Sequence, residues 1–383
     1  MKEPKIRFKG FKGEWVETPL LDVVTLYNGL TYTPNDIRDH GTLVLRSSNV
    51  QEGEISLFDN VYVRSEVATS PNVKKGDIIV VVRNGSRTLI GKHAQIKSDM
   101  PNTVIGAFMA GIHTDEPEFL NALLCTRRFD NEVTINLGAT INQITNGTFH
   151  SMKFLFPDKK EQKALGYYFQ HLDSLIQSTT KKIESLKQVK AASLQSMFPQ
   201  EGETTPRVRF KGFDGKWVAL KYDEVFSLIG DSGHNVQKTG YCERGLYPII
   251  DQSKQYIVGY TDKVLPLDGT NGFIIFGDHT REFKYIDFPF CTGADGIRIL
   301  KCEKNFDSRF IYYNCSSLYI PNTGYNRHFK YIKEATYLTP KTMEEQRAIA
   351  SYFTNLDRQI TLQTQRLEKL KQIKSACLDN MFV

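Results

Sequence analysis

The feature that most constrains this chain is a 38-residue stretch that occurs twice. Residues 161–198 read EQKALGYYFQHLDSLIQSTTKKIESLKQVKAASLQSMF and residues 345–382 read EQRAIASYFTNLDRQITLQTQRLEKLKQIKSACLDNMF, aligning without a gap with 18 identities in 38 positions. Neither copy contains proline, and only the first has a glycine, Gly166. A long proline-free run with apolar periodicity reads as a helix. The seam steps by alternating fours and threes: Leu165, Phe169, Leu172, Ile176, Thr179, Ile183 and Leu186 in the first copy, and Ile349, Phe353, Leu356, Ile360, Gln363, Leu367 and Leu370 in the second. That is the a/d pattern of a coiled coil, polar at the same place in both copies. The next apolar residues, Val189 and Ile373, come three positions on where four is due, which predicts a stammer in both helices. At ~1.5 Å per residue each helix is roughly 57 Å long. A shared seam with a shared defect predicts that the two helices pair; the alternative is that each packs on its own domain.

A second repeat precedes each helix. Pro4 to Val16 reads PKIRFKGFKGEWV and Pro206 to Val218 reads PRVRFKGFDGKWV, with nine identities in 13 and both tryptophans of the protein at the matching position. The order is therefore unit, helix, unit, helix: 1–158, 159–198, a polar linker 199–205, 206–341 and 342–383. Between entry motif and helix the two units hardly align. Short apolar runs such as Asp77 to Val82 and Gly272 to Phe276, bounded by glycine and acids, predict strands, so the class is α/β in the sense of mixed α+β. The units converge again where Asn136 to Ile144 leads to Pro157 and Asn322 to Lys330 leads to Pro340.

Mild positive charge, +6 with pI about 8.8, is compatible with nucleic acid. The six cysteines are scattered without metal spacing, which predicts free thiols in a reducing cytoplasm and no metal. No run of 18 apolar residues occurs, so no membrane span is expected. Gly85 to His93 superficially follows a phosphate loop, with five residues between its glycines where four are needed, and His93 where a hydroxyl should be. Pro157-Asp158-Lys-Lys-Glu161 is reminiscent of a nuclease, yet Lys341 follows Pro340 in the second copy. Proline and then acids at a helix start account for both. No catalytic residue is expected.

Polar and basic clusters beside strands remain. In the first unit these are Arg46, Ser48 and Asn49; Arg83, Asn84, Ser86 and Arg87; and Asn142 with Gln143. In the second they are Gln252 and Lys254; His279, Thr280 and Arg281; and Asn326, Arg327 and His328, after Tyr325. Arg, Asn and Gln pair bidentately with base edges, and Ser, Thr and Lys suit phosphates. These residue types therefore predict double-stranded DNA as the partner. Ordinary Asn-Gly-Ser turns explain any one cluster equally well.

The twin helices led by Pro…Glu-Gln and ended by Met-Phe, the twin RFxGFxGxW entries and the divergent middles resemble the specificity subunit of a type I restriction–modification system. LRSSNVQEGEI (45–55) and KKGDIIVVVRNGS (74–86) look like one target-recognition domain of that family, and YPIIDQSKQYIVGYTD (247–262), 274–300 and GYNRHFKYIK (324–333) look like another. The resemblance implies two recognition domains reading the halves of a split site, and helices that pair antiparallel as a spacer. It also implies that the helices dock two methyltransferase subunits, with restriction subunits joining the full complex. S-adenosylmethionine, ATP and magnesium would sit on those partners, with no cofactor in this chain. A stand-alone DNA-binding protein, a coiled-coil adapter without DNA binding, and an enzyme with its own active site are the competing classes.

Overall fold

The computed structural model describes residues 2–137, 142–293, 296–324 and 326–383. They form two compact units: Met1–Thr180 with Arg366–Val383, and Lys181–Gln365. The long helices run from Lys159 to Met197 and from Met343 to Met381, so each helix is divided between the units.

The start of the first helix is set by Asp158, whose Oδ1 accepts the amides of Lys160 (2.8 Å) and Glu161 (2.9 Å). That satisfies donors which a helix end otherwise leaves orphaned. Thr342 caps the second helix through the Glu345 amide, 3.4 Å away. The repeated acid of the first turn then anchors the entry motif. Arg7 holds Glu161 through Nε and Nη2, both at 2.7 Å, and Arg209 holds Glu345 identically. The same guanidinium donates to Gly13 O in one unit and Gly215 O in the other, closing a turn whose glycines sit at φ 92° and 78°. A β-carbon is strained there, which explains the repeated glycine. Each buried tryptophan then packs edge-on against the end of a long helix, Trp15 on Phe382 and Trp217 on Phe198.

Those phenylalanines establish the pairing direction. In the first unit Phe382, from the end of the second helix, packs on Phe169 near the start of the first (5.6 Å between rings). In the second unit Phe198 packs on Phe353 (5.8 Å). The helices are antiparallel, and the contacts repeat in pairs. Lys374 meets Asp173 and Lys190 meets Asp357, each at 2.5 Å; Tyr168 meets Cys377 and Tyr352 meets Ser193. Leu165, Phe169, Leu172, Thr179, Ile183, Leu186, Ile349, Phe353 and Leu356 are buried on the seam, with Ile176, Ile360, Gln363, Leu367 and Leu370 half-buried.

The stammer does not occur. Val189 and Ile373 are exposed, 46% and 38%. The next inward positions are Lys190 and Lys374, four residues after the last leucine, followed by Met197 and Met381. The seam keeps its register because a lysine stem can cover apolar surface while its ammonium reaches an acid across the seam.

The divergent middles share one topology. The first unit has an antiparallel sheet ordered Thr25–Asn28, Met109–His113, Ile78–Val81, His93–Gln95. The second has Phe226–Ile229, Ile297–Cys302, Phe273–Gly277, Phe283–Ile286 in the same order. A second sheet in each contains one parallel pair, Thr103–Ile105 with Thr42–Leu45 and Cys291–Thr292 with Tyr247–Ile250. The entry strand pairs with the strand before the helix, Val16–Pro19 with Lys153–Phe156 and Val218–Leu220 with Tyr337–Thr339. Among the described residues no helix is long and apolar enough to cross a membrane.

Candidate nucleic-acid interface

The candidate residues follow the ends of equivalent strands. Thr42–Leu45 leads to Arg46–Asn49, and Tyr247–Ile250 leads to Gln252–Lys254. Ile78–Val81 leads to Arg83–Arg87, and Phe273–Gly277 leads to His279–Arg281. Residues whose sequences do not align thus stand at matching places.

In the first unit the three clusters meet. Asn84 Nδ2 donates to Ser47 Oγ (3.1 Å), joining the first two loops. Asn142 Nδ2 donates to Gly85 O (3.1 Å), and Arg83 forms a bridge with Gln143. Asn84 Oδ1 also accepts the Ser86 amide. Arg83 and Arg87 are exposed, while Arg87 also reaches Leu137 O (3.3 Å). Arg46 is held by Asp59 at 2.7 Å, so its charge is offset locally. Asn49 is a correction. It is fully buried, its Oδ1 accepts the Arg46 amide and its Nδ2 donates to Ser56 O (2.9 Å). A side chain without exposed surface shapes the loop and has nothing to present to a duplex. Ser48 Oγ is likewise buried, with no hydrogen-bond partner.

In the second unit the first two loops also meet. Gln252 Oε1 accepts the His279 amide (3.2 Å), and the Thr280 hydroxyl donates to Gln252 O. Lys284, 5% exposed in its side chain, lies beneath the first loop and donates to Asp251 O (2.7 Å) and Gln255 O (2.5 Å). Burial pushes its ammonium below the ordinary lysine range, partly offset by Asp251. Asp278, 1% exposed, gathers the third cluster: its carboxylate accepts the Phe329 amide (2.8 Å) and faces Arg298 (3.3 Å). His328 is a second correction. It is buried, with Nδ1 against Asp278 O (2.9 Å) and Nε2 against Thr323 Oγ1 (3.2 Å), so it builds the loop. Lys254, Asn326 and Arg327 are exposed; Tyr325 and the stretch Gly138–Ile141 lie outside the described residues. Arg281 sits at φ 63° and reaches Ile320 O (3.2 Å). An arginine in the left-handed region is uncommon, and such strain collects at functional sites.

Sequence reasoning missed the supporting residues Lys284 and Phe108, while Asp278 opens the cluster that ends at Arg281. Phe108 is an exposed aromatic whose ring lies 5.1 Å below the Arg83 guanidinium. No periodic signal marks a single residue of this kind. Among the described residues no group of three or more His, Cys, Asp or Glu could hold a metal ion. The assembled loops can therefore offer hydrogen bonds, positive charge and one aromatic face.

Comparison with known proteins gives a consistent family. A family model described as type I restriction modification DNA specificity domain matches residues 12–188 and 215–372, once in each half of the sequence. The chain is similar to the type I restriction enzyme StySPI specificity subunit of Salmonella potsdam, 25% identical over 184 residues, 46% of this chain and 40% of that one. It is similar to the EcoKI specificity subunit of Escherichia coli (strain K12), 26% identical over 185 residues, 46% and 39% of the two chains. These matches span about two fifths of the length of those relatives. In fold it is similar to the crystal structure of the type I restriction–modification S subunit from M. genitalium, with TM-score 0.72 and 14% identity, over 100% of this chain and 99% of that one.

Proposed function

The chain belongs to the type I restriction–modification DNA specificity family, and from that membership we propose that it selects the DNA sequence on which a larger complex acts, each unit reading one half of a bipartite duplex site. One observation carries this reading: unalignable middles fold to one topology and place different polar residues at the same strand ends. A common frame with exchanged loops suits two readers with different targets. Exposed arginines would supply bidentate base contacts and phosphate contacts, the first specifying and the second positioning. The paired helices would hold the two readers and dock two methyltransferase subunits, with restriction subunits completing the assembly in the cytoplasm. S-adenosylmethionine, ATP and magnesium would bind on those partners. This chain would then be a non-catalytic part of an adenine-methylating, ATP-dependent nuclease.

Sequencing the methylated bases of host DNA with and without this gene tests the proposal. The expected result is one split motif that vanishes with the gene. Unchanged methylation, or methyl transfer by the purified chain alone, overturns it.

A further inference from the structure

The turn Gly106–Phe108 is tied from several sides. The Gly106 amide donates to Leu45 O (2.8 Å), immediately before Arg46. The Leu30 amide donates to Ile105 O (2.7 Å), and a β-carbon on Gly29 would collide with the Gly106 carbonyl at 2.0 Å. Phe108 O accepts two amides of the neighbouring reading loop, Val82 (2.9 Å) and Arg83 (3.2 Å). A backbone hydrogen-bonded on both sides thus carries a phenylalanine that is 53% exposed. Its ring borders a groove of about 570 Å³ lined also by Leu30, Tyr32, Ile37, Arg46 and Ser47. Exposed aromatic surface on a hydrogen-bonded turn, beside Arg83, suits a negatively charged partner that also offers an apolar group.

We propose that Phe108, with Arg83 over its ring, is a specificity-determining contact of the first unit, and that it reads the 5-methyl group of a thymine in the major groove. The proposal rests on the DNA-reading function above. Among base edges in the major groove, thymine alone presents an apolar substituent, and phenylalanine is one of the side chains that meet it. Arg83 lies close enough to contact the same or the adjacent base pair. In the second unit the sequence after the equivalent parallel strand reads Thr292-Gly-Ala-Asp295 against Ile105-Gly-Ala-Phe108. Ala294 and Asp295 lie outside the described residues, and the proposal concerns the first unit alone.

The test uses the full chain in complex with its methyltransferase subunits. Once the methylated motif is known, each thymine of the site, on both strands, is replaced in turn by deoxyuridine, which removes only the methyl group. One replacement should weaken wild-type binding about fourfold, the transfer free energy of one methyl-sized group. The same replacement should leave binding by Phe108→Ala unchanged, and Phe108→Leu should fall between. Thermal melting of Phe108→Ala should match wild type, because the ring is exposed. A site without a uracil-sensitive thymine, or variants as sensitive as wild type, overturns the proposal while the reading function stands. A wild-type complex with no sequence preference removes the reading function itself, and this contact with it.

Discussion

At the scale of single residues, the same amino acids serve two purposes that only burial separates. Asn49 and Asn84 both stand in polar loops, yet the first is enclosed and the second bridges two loops at the surface. Composition cannot tell a loop-building asparagine from a base-reading one, since both need the same amide. The exposed arginines Arg83, Arg87 and Arg327, with the half-buried Arg281, are the better candidates. Arg83→Ala or Arg87→Ala should alter reading of one half-site, and Arg281→Ala or Arg327→Ala the other. A lost base contact should cost ~1–3 kcal/mol and relax one position, whereas a lost phosphate contact should weaken all sequences alike. Binding titrations on matched and mismatched duplexes distinguish these; four silent substitutions would remove the assignment. The entry arginines are different. Arg7→Ala leaves Glu161, 1% exposed in its side chain, as a buried charge without its partner. About 3 kcal/mol of stability should be lost, read by denaturant unfolding, although the change lies outside the candidate interface.

At the scale of elements, the long helices were legible because a 3.5-residue seam sustained over about six turns has few other interpretations. The stammer that the spacing of Val189 and Ile373 predicts does not form for a physical reason: a lysine takes the seam position, its ammonium reaching Asp357 or Asp173. Exchanging the charges, Lys190→Asp with Asp357→Lys, should recover part of the stability lost in either single variant, measured by a double-mutant cycle. The short strands of the middles were only partly legible. Their parallel pairs join residues 60 and 42 positions apart, and strands of two to four residues carry no strong period. Gly166 supplies a further prediction. A β-carbon there would lie 2.7 Å from the Phe119 amide nitrogen and 2.9 Å from Glu118 Cβ. Gly166→Ala should therefore destabilise by about 1–3 kcal/mol through overpacking, despite the ~1 kcal/mol that alanine gains in a helix interior. A raised melting temperature would show that the helix Pro117–Leu124 simply moves aside.

At the scale of the whole molecule, each helix is shared between units, so a length change in one helix cannot be made alone. Inserting a heptad only between Lys181 and Glu184 would prevent Lys190–Asp357 and Lys374–Asp173 from keeping register together. Inserting it there and between Gln365 and Glu368 should preserve both, adding ~10.5 Å to each helix. The unread gap in the methylated motif should then grow by up to about three base pairs with the read bases unchanged. Methylation only at the original spacing would leave the helices as a docking surface. Another consequence follows from two matching hydrogen bonds. The Val208 amide donates to Ser196 O at the end of the first helix, and the Ile6 amide donates to Asn380 O at the end of the second, both at 2.9 Å. Eleven residues span the first junction, and eight would span the second if Val383 were joined to Met1. Three added residues would make the junctions equal, and the backbone would be a ring with two interchangeable openings. Cut instead within 199–205, a chain so joined should fold to the same pair of units and methylate the same motif, because both junctions hold a helix end to an entry segment by the same backbone hydrogen bond.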